Sequence, residues 1–133
     1  MKQKVLLIDD SKFLRKANEL ALARGGYDVL GAADGEEGLR LAGEKTPDLI
    51  ILDMMLPKIS GPQLLQLLKH DPRTAQIPVI VLSSLSQKNE EKLVQEGAAA
   101  YFEKSSLGLE AGGSRLVDVV TNVLRAAHHA ARA

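Results

Sequence analysis

Asp9, Asp10, Asp53, Ser83 and Lys104 share a setting, because each stands at or just beyond the end of a short apolar run. Val5-Leu6-Leu7-Ile8 leads into Asp9-Asp10, and Leu49-Ile50-Ile51-Leu52 leads into Asp53. Pro78 to Leu82 leads into Ser83, and Ala98 to Phe102 leads towards Glu103-Lys104. Each is ordinary alone, and a lone carboxylate such as Asp53 could simply cap a turn. If the runs are neighbouring parallel strands, however, all five residues gather on one sheet edge. Three clustered anions repel one another unless a cation intervenes, and a hard divalent ion with oxygen ligands resolves this. Mg²⁺ suits such a site, with Mn²⁺ as a substitute, because it takes one or two carboxylates and keeps other positions open. Lysine adds a point charge for an anion, phosphate most obviously, and serine adds a hydroxyl for a phosphoryl oxygen. A metal, a nucleophilic carboxylate, a lysine and a hydroxyl are the parts of a phosphoryl-transfer site.

The elements that must hold these residues are readable from the pattern. Unbroken aliphatic runs of this length read as strands buried on both faces, the kind found in parallel sheets. Between them lie helical patterns. Leu14, Ala17, Ala21 and Leu22 repeat at three and four, and Gly25-Gly26 stops that helix. Tyr27 to Ala32 is a second strand, and Asp34 with Glu37 has the spacing of a capping box for a helix ending near Gly43. Ser60 can cap a helix carrying Leu64, Leu65, Leu67 and Leu68, which Asp71-Pro72 ends. A polar helix is expected over 87–96 and a last one from Leu116 to Ala127. Strand and helix alternate five times, which predicts an α/β fold with a doubly wound, five-stranded parallel sheet and helices on both faces. The order 2-1-3-4-5, flavodoxin-like, puts strands 1 and 3 together at its centre and so brings Asp9, Asp10 and Asp53 together.

Composition bounds the rest. A chain of 133 residues, 45% apolar and 26% charged, is one globular domain with a full core. Seventeen basic and seventeen acidic residues cancel, giving no electrostatic case for nucleic acid or an anionic membrane as partner. The absence of cysteine excludes disulfides and thiolate metal sites. The start lacks the pattern of a signal peptide, and no run approaches the ~18 apolar residues that span a bilayer, so the expected location is cytoplasmic. Residues 1–127 are expected to form the domain and 128–133 a tail or the start of a linker.

At the five strand-end residues the sequence resembles the receiver domains of two-component response regulators. The likeness covers essentially the whole chain. Asp9 and Asp10 match that family's acidic pair, Asp53 its phosphoacceptor, Ser83 its hydroxyl residue and Lys104 its lysine, with Pro57 and Gly61 at the family's spacing after Asp53. The resemblance implies that Asp53 takes a phosphoryl group from a histidine kinase or histidine phosphotransfer protein. It implies that Asp10, Asp53 and the Met55 carbonyl ligate Mg²⁺, that Asp9 helps through water, and that Lys104 pairs with the phosphoryl group. Ser83 and Tyr101 would be the switch, repacking the face made by the fourth helix, fifth strand and last helix for a downstream protein. Such a protein is a signalling switch rather than an enzyme, catalysing only its own phosphorylation and slow dephosphorylation.

There are departures. Ser105 follows Lys104 where the family usually has a cis proline, and a non-proline cis bond costs roughly 2.5–4 kcal/mol. The stretch from Ser105 to Gly113 is longer than the family's usual link. Met55 and Leu85 are apolar where some receivers help water attack, so autodephosphorylation is expected to be slow. Two other classes fit the pattern less well. A flavodoxin-like electron carrier needs a phosphate-cradling loop after strand 1 and aromatics for the flavin, against two acids and no tryptophan here. An aspartyl-nucleophile phosphatase of the haloacid dehalogenase type needs an acid where Met55 stands. The chain also fits a receiver cut from a larger hybrid kinase or regulator. His70 reads as a helix-end residue, His128-His129 point about 100° apart on a helix and make a poor metal pair, and Phe13 is either core or docking surface.

Overall fold

The computed structural model describes residues 2–53, 59, 61–83, 97–103 and 114–132. Five strands, β1 (Lys4–Ile8), β2 (Asp28–Ala32), β3 (Leu49–Asp53), β4 (Val79–Ser83) and β5 (Ala100–Glu103), form one sheet in the order β2-β1-β3-β4-β5. Every pairing is parallel. The helices described are α1 (Lys12–Arg24), α2 (Gly35–Lys45), α3 (Gly61–His70) and a last helix, Ser114–Arg132. The expected fold class and strand order are therefore the observed ones. The expected helix over 87–96 lies outside the described residues.

Both faces of the sheet are covered, which is why its strands are continuously apolar rather than alternating. Leu6, Ile8, Ile50, Leu52, Val79 and Val81 share one face with Ala42 of α2 and Leu64, Leu65 and Leu68 of α3. Val5, Leu7, Leu49, Ile51, Ile80 and Leu82 share the other with Leu22 of α1 and Leu116, Val120 and Leu124 of the last helix. All five residues of β3 are buried. Each aliphatic side chain so buried contributes about 1.5–3 kcal/mol, which anchors β3 firmly between the two layers of helices.

Local chemistry sets the helix ends. Ser11 Oγ accepts from the Leu14 amide at 3.3 Å and caps α1. Gly25 and Gly26 end it as expected, Gly26 at φ +96°. Asp34 Oδ1 accepts from the Glu37 amide at 2.9 Å and caps α2. That helix does not stop near Gly43. It runs to Lys45 and closes on Thr46 in the left-handed region, φ 42°. Gly43 serves a different purpose, since a β-carbon there would come within 3.0 Å of the Arg73 guanidinium. The last helix starts at Ser114 and continues through 128–132, beyond the expected end at Ala127.

Candidate functional site

β1 and β3 are central neighbours, with Ile8 opposite Leu52. The residues that follow each pair therefore emerge side by side at the carboxyl edge. Asp9, Asp10 and Asp53 each place a carboxylate oxygen so that all three lie within 4.8 Å of one another. Asp9 and Asp53 are 1% and 2% exposed, whereas Asp10 is exposed. The sequence-based convergence of these three residues is thus realised.

Asp9 is tightly held. Its amide donates to the Ala32 carbonyl of β2 at 3.0 Å, continuing the sheet by one residue. Its Oδ1 accepts from the Ser11 amide at 2.9 Å, and its carbonyl accepts from Arg15 Nη1 at 2.8 Å. Asp53 closes β3 opposite Leu82 of β4. One residue further along β4, Ser83 stands opposite Glu103, the last residue of β5, and Tyr101 stands opposite Val81. The backbones of Ser83 and Tyr101 are thus on strands at the expected places, but their side chains lie outside the described residues. Met55 and Lys104 also lie outside them, as do the Lys104–Ser105 peptide, Leu85 and the 105–113 stretch.

Three carboxylates are hard oxygen donors, and the ligand oxygens of a single Mg²⁺ lie up to about 4 Å apart. A separation of at most 4.8 Å fits one divalent ion held directly or through water. Among the described residues this is the one such cluster of acidic or histidine side chains. His70 is not part of any. Its Nδ1 lies 2.7 Å from the Gln66 carbonyl, one turn back on α3, which is the helix-end role expected of it. The side chains of His128 and His129 lie outside the described residues.

The sequence reading missed the hold on Asp9. The signal for the Ser11 cap was present, a serine directly before a helical pattern. Arg15 gave none, because a basic residue one turn into a helix is ordinarily solvated surface. The structure also decides Phe13, which is 77% exposed and so does not belong to the core.

Comparison with known proteins agrees with this geometry. The profile of the response regulator receiver domain matches residues 5–110. The polar-differentiation response regulator DivK of Brucella anthropi is 34% identical over 105 residues, covering 78% of this chain and 85% of that protein. The DNA-binding dual master transcriptional regulator RpaA of Synechocystis sp. is 45% identical over 84 residues, covering 63% of this chain and 35% of that protein. The chain thus matches about a third of that longer relative. Among solved structures, a putative response regulator from Chloroflexus aurantiacus superposes with a TM-score of 0.84 at 29% identity, covering 94% of this chain and 99% of that one. Among the described residues, no helix is long and apolar enough to cross a membrane.

Proposed function

The chain belongs to the response regulator receiver family, and we propose on that footing that Asp53 is its phosphoacceptor. One Asp53 oxygen attacks the phosphorus of a phosphohistidine on a partner histidine kinase or phosphotransfer protein. The O–P bond forms, the P–N bond breaks, and the imidazole leaves with a proton. The observation that carries this reading is the burial of Asp53 at the end of the central strand, within 4.8 Å of two further carboxylates. A surface cap would not be held in this way, and burying like charges together is costly without a cation.

Asp10, Asp53 and the Met55 carbonyl would hold Mg²⁺ or Mn²⁺, with Asp9 acting through water. The ion, when bound, supplies positive charge to the transferring phosphoryl oxygens. Lys104 pairs with the phosphoryl group, and Ser83 and Tyr101 transmit its arrival to the face built on β5 and the last helix. The protein works as a cytoplasmic signalling switch whose only chemistry is its own phosphorylation and slow dephosphorylation. The phosphodonor approaches along α1, which starts beside the acidic pair. Phe13, Ala17 and Leu20 fall at helical spacing with Lys12 and Lys16 beside them, and Phe13 and Leu20 are 77% and 53% exposed.

Intact-mass measurement after incubation with acetyl phosphate and Mg²⁺ tests the reading. One added phosphoryl group is expected on the wild type, and none on Asp53→Asn or in the presence of a chelator. An unmodified wild-type mass overturns it. A phosphoryl half-life of seconds at neutral pH would overturn slow dephosphorylation alone.

A further inference from the structure

The peptide that joins Asp9 to Asp10 is gripped from outside its own turn. Arg15 Nη1 donates to the carbonyl of that peptide at 2.8 Å. Arg15 is only 15% exposed, and its Nε stands 3.9 Å from Glu19 Oε1 one turn further along α1. Glu19, 22% exposed, also faces Lys16 at 3.6 Å. Glu19 can lie here because β2 offers no side chain at Gly31. A β-carbon on Gly31 would overlap Glu19 Oε1 and come within 3.3 Å of Arg15 Cδ. Gly31 does not adopt the left-handed backbone that favours glycine, so glycine serves space rather than conformation. Its neighbour Ala32 accepts from the Asp9 amide. The two peptides that flank Asp9 are therefore each held by a different element, Ile8–Asp9 by β2 through Ala32 and Asp9–Asp10 by α1 through Arg15.

We propose that Arg15 is a positioning residue for the metal-binding carboxylates. Clamped by Glu19 in the space Gly31 leaves, it fixes the Asp9–Asp10 peptide and thereby aims both acids. The proposal rests on reading Asp9, Asp10 and Asp53 as the metal site. It makes a prediction opposite in sign to simple electrostatics. Arg15 is a cation near three anions, so its removal by charge alone would tighten Mg²⁺ binding. Positioning requires the reverse, because groups that orient ligands typically lower metal affinity when lost.

The test is Mg²⁺ titration of the full chain followed through the backbone amide resonances of Asp10 and Ser11, with thermal melting recorded on the same samples. Arg15→Ala is expected to weaken Mg²⁺ binding about tenfold, and Arg15→Lys, which keeps the charge and loses the planar fork, to restore it only in part. Gly31→Ala changes no charge and lies on the neighbouring strand, yet it should weaken binding in the same direction by displacing Glu19. The double variant Arg15→Ala/Gly31→Ala should match Arg15→Ala within about twofold, because both act through one contact. Unchanged or tighter binding by Arg15→Ala, or a Gly31→Ala that shifts melting and leaves Mg²⁺ affinity alone, overturns the clamp. Should Arg15→Ala not fold, Arg15→Lys and Gly31→Ala decide the matter by the same readout. A wild type that binds no Mg²⁺ overturns both the clamp and the metal-site reading, whereas wild-type binding indifferent to Arg15 overturns the clamp alone.

Discussion

The two edges of this sheet treat charge in opposite ways. At the amino edge, polar groups meet complementary partners. The Lys4 amide donates to Asp48 Oδ2 at 2.7 Å, and Lys69 Nζ donates to the Ile77 and Ala75 carbonyls at 2.7 and 3.2 Å. Arg73 Nη2 meets Asp71 Oδ2 at 2.9 Å. At the carboxyl edge, three carboxylates crowd within 4.8 Å, two of them buried. The same strands run into both edges, so the backbone does not explain the difference. Opposite charges and complementary dipoles meet at the amino edge, whereas like charges gather at the carboxyl edge, and such a gathering of buried carboxylates marks a candidate working edge.

Substitutions at the two edges should accordingly differ in their response to Mg²⁺. Asp53→Asn removes one carboxylate from the cluster, so Mg²⁺ should stabilise it far less than the wild type, for which saturating the site at a hundred times Kd adds about 2.7 kcal/mol of stability. Thermal melts of both proteins with and without Mg²⁺ check this. Equal Mg²⁺-induced shifts in the two proteins would remove the contrast between the edges.

Lys69→Met probes the amino edge. The two carbonyls that lose their donor should cost about 1–2 kcal/mol, with no dependence on Mg²⁺. Burial holds the Lys69 ammonium below its ordinary pKa of 10.5. In that case the unfolded chain binds more protons between the lowered value and 10.5, so the stability of wild type relative to Lys69→Met should rise with pH across that window. Urea unfolding of the pair at a series of alkaline pH values is the measurement. A difference that falls with pH would show that burial is not what shifts Lys69.

Much of this contrast was legible in the sequence, and the reason is local. Leu49 to Leu52 announce a doubly covered strand without reference to anything distant, and five such runs leave few permitted topologies. Once the order was known, Asp9, Asp10 and Asp53 had to converge. What escaped was set by pairs far apart in sequence. Gly43 looked like a helix stop, whereas its place under Arg73 explains it and the helix ends at Thr46. Gly31 sat inside a strand pattern with no reason given, and its meaning lies in Glu19. Lys69 carries no sequence signal of its own, since its carbonyl partners, Ala75 and Ile77, come from the chain returning to β4. Such contacts have no periodicity to betray them.

The smallest effect tests whether matching at the amino edge reaches into solvent. Asp71 is exposed to water around its carboxylate, and the Arg73 side-chain hydrogen bond, then the Arg73 backbone amide, hold its pKa below 3.8. The same pair raises Arg73 above its ordinary value. A carboxyl lowered by folding contributes stability that is complete above 3.8 and fades as pH falls through the folded value, because the native state must then take up a proton it resists. The melting temperature of wild type minus that of Asp71→Asn should therefore be small, positive and level above about pH 5, and shrink towards zero in acid. Salt should reduce it as well, since solvent screens an exposed pair. At this edge it is the wild type's advantage that acid removes, and a difference that persists unchanged in acid and in high salt would show that the Asp71–Arg73 pair is not what produces it.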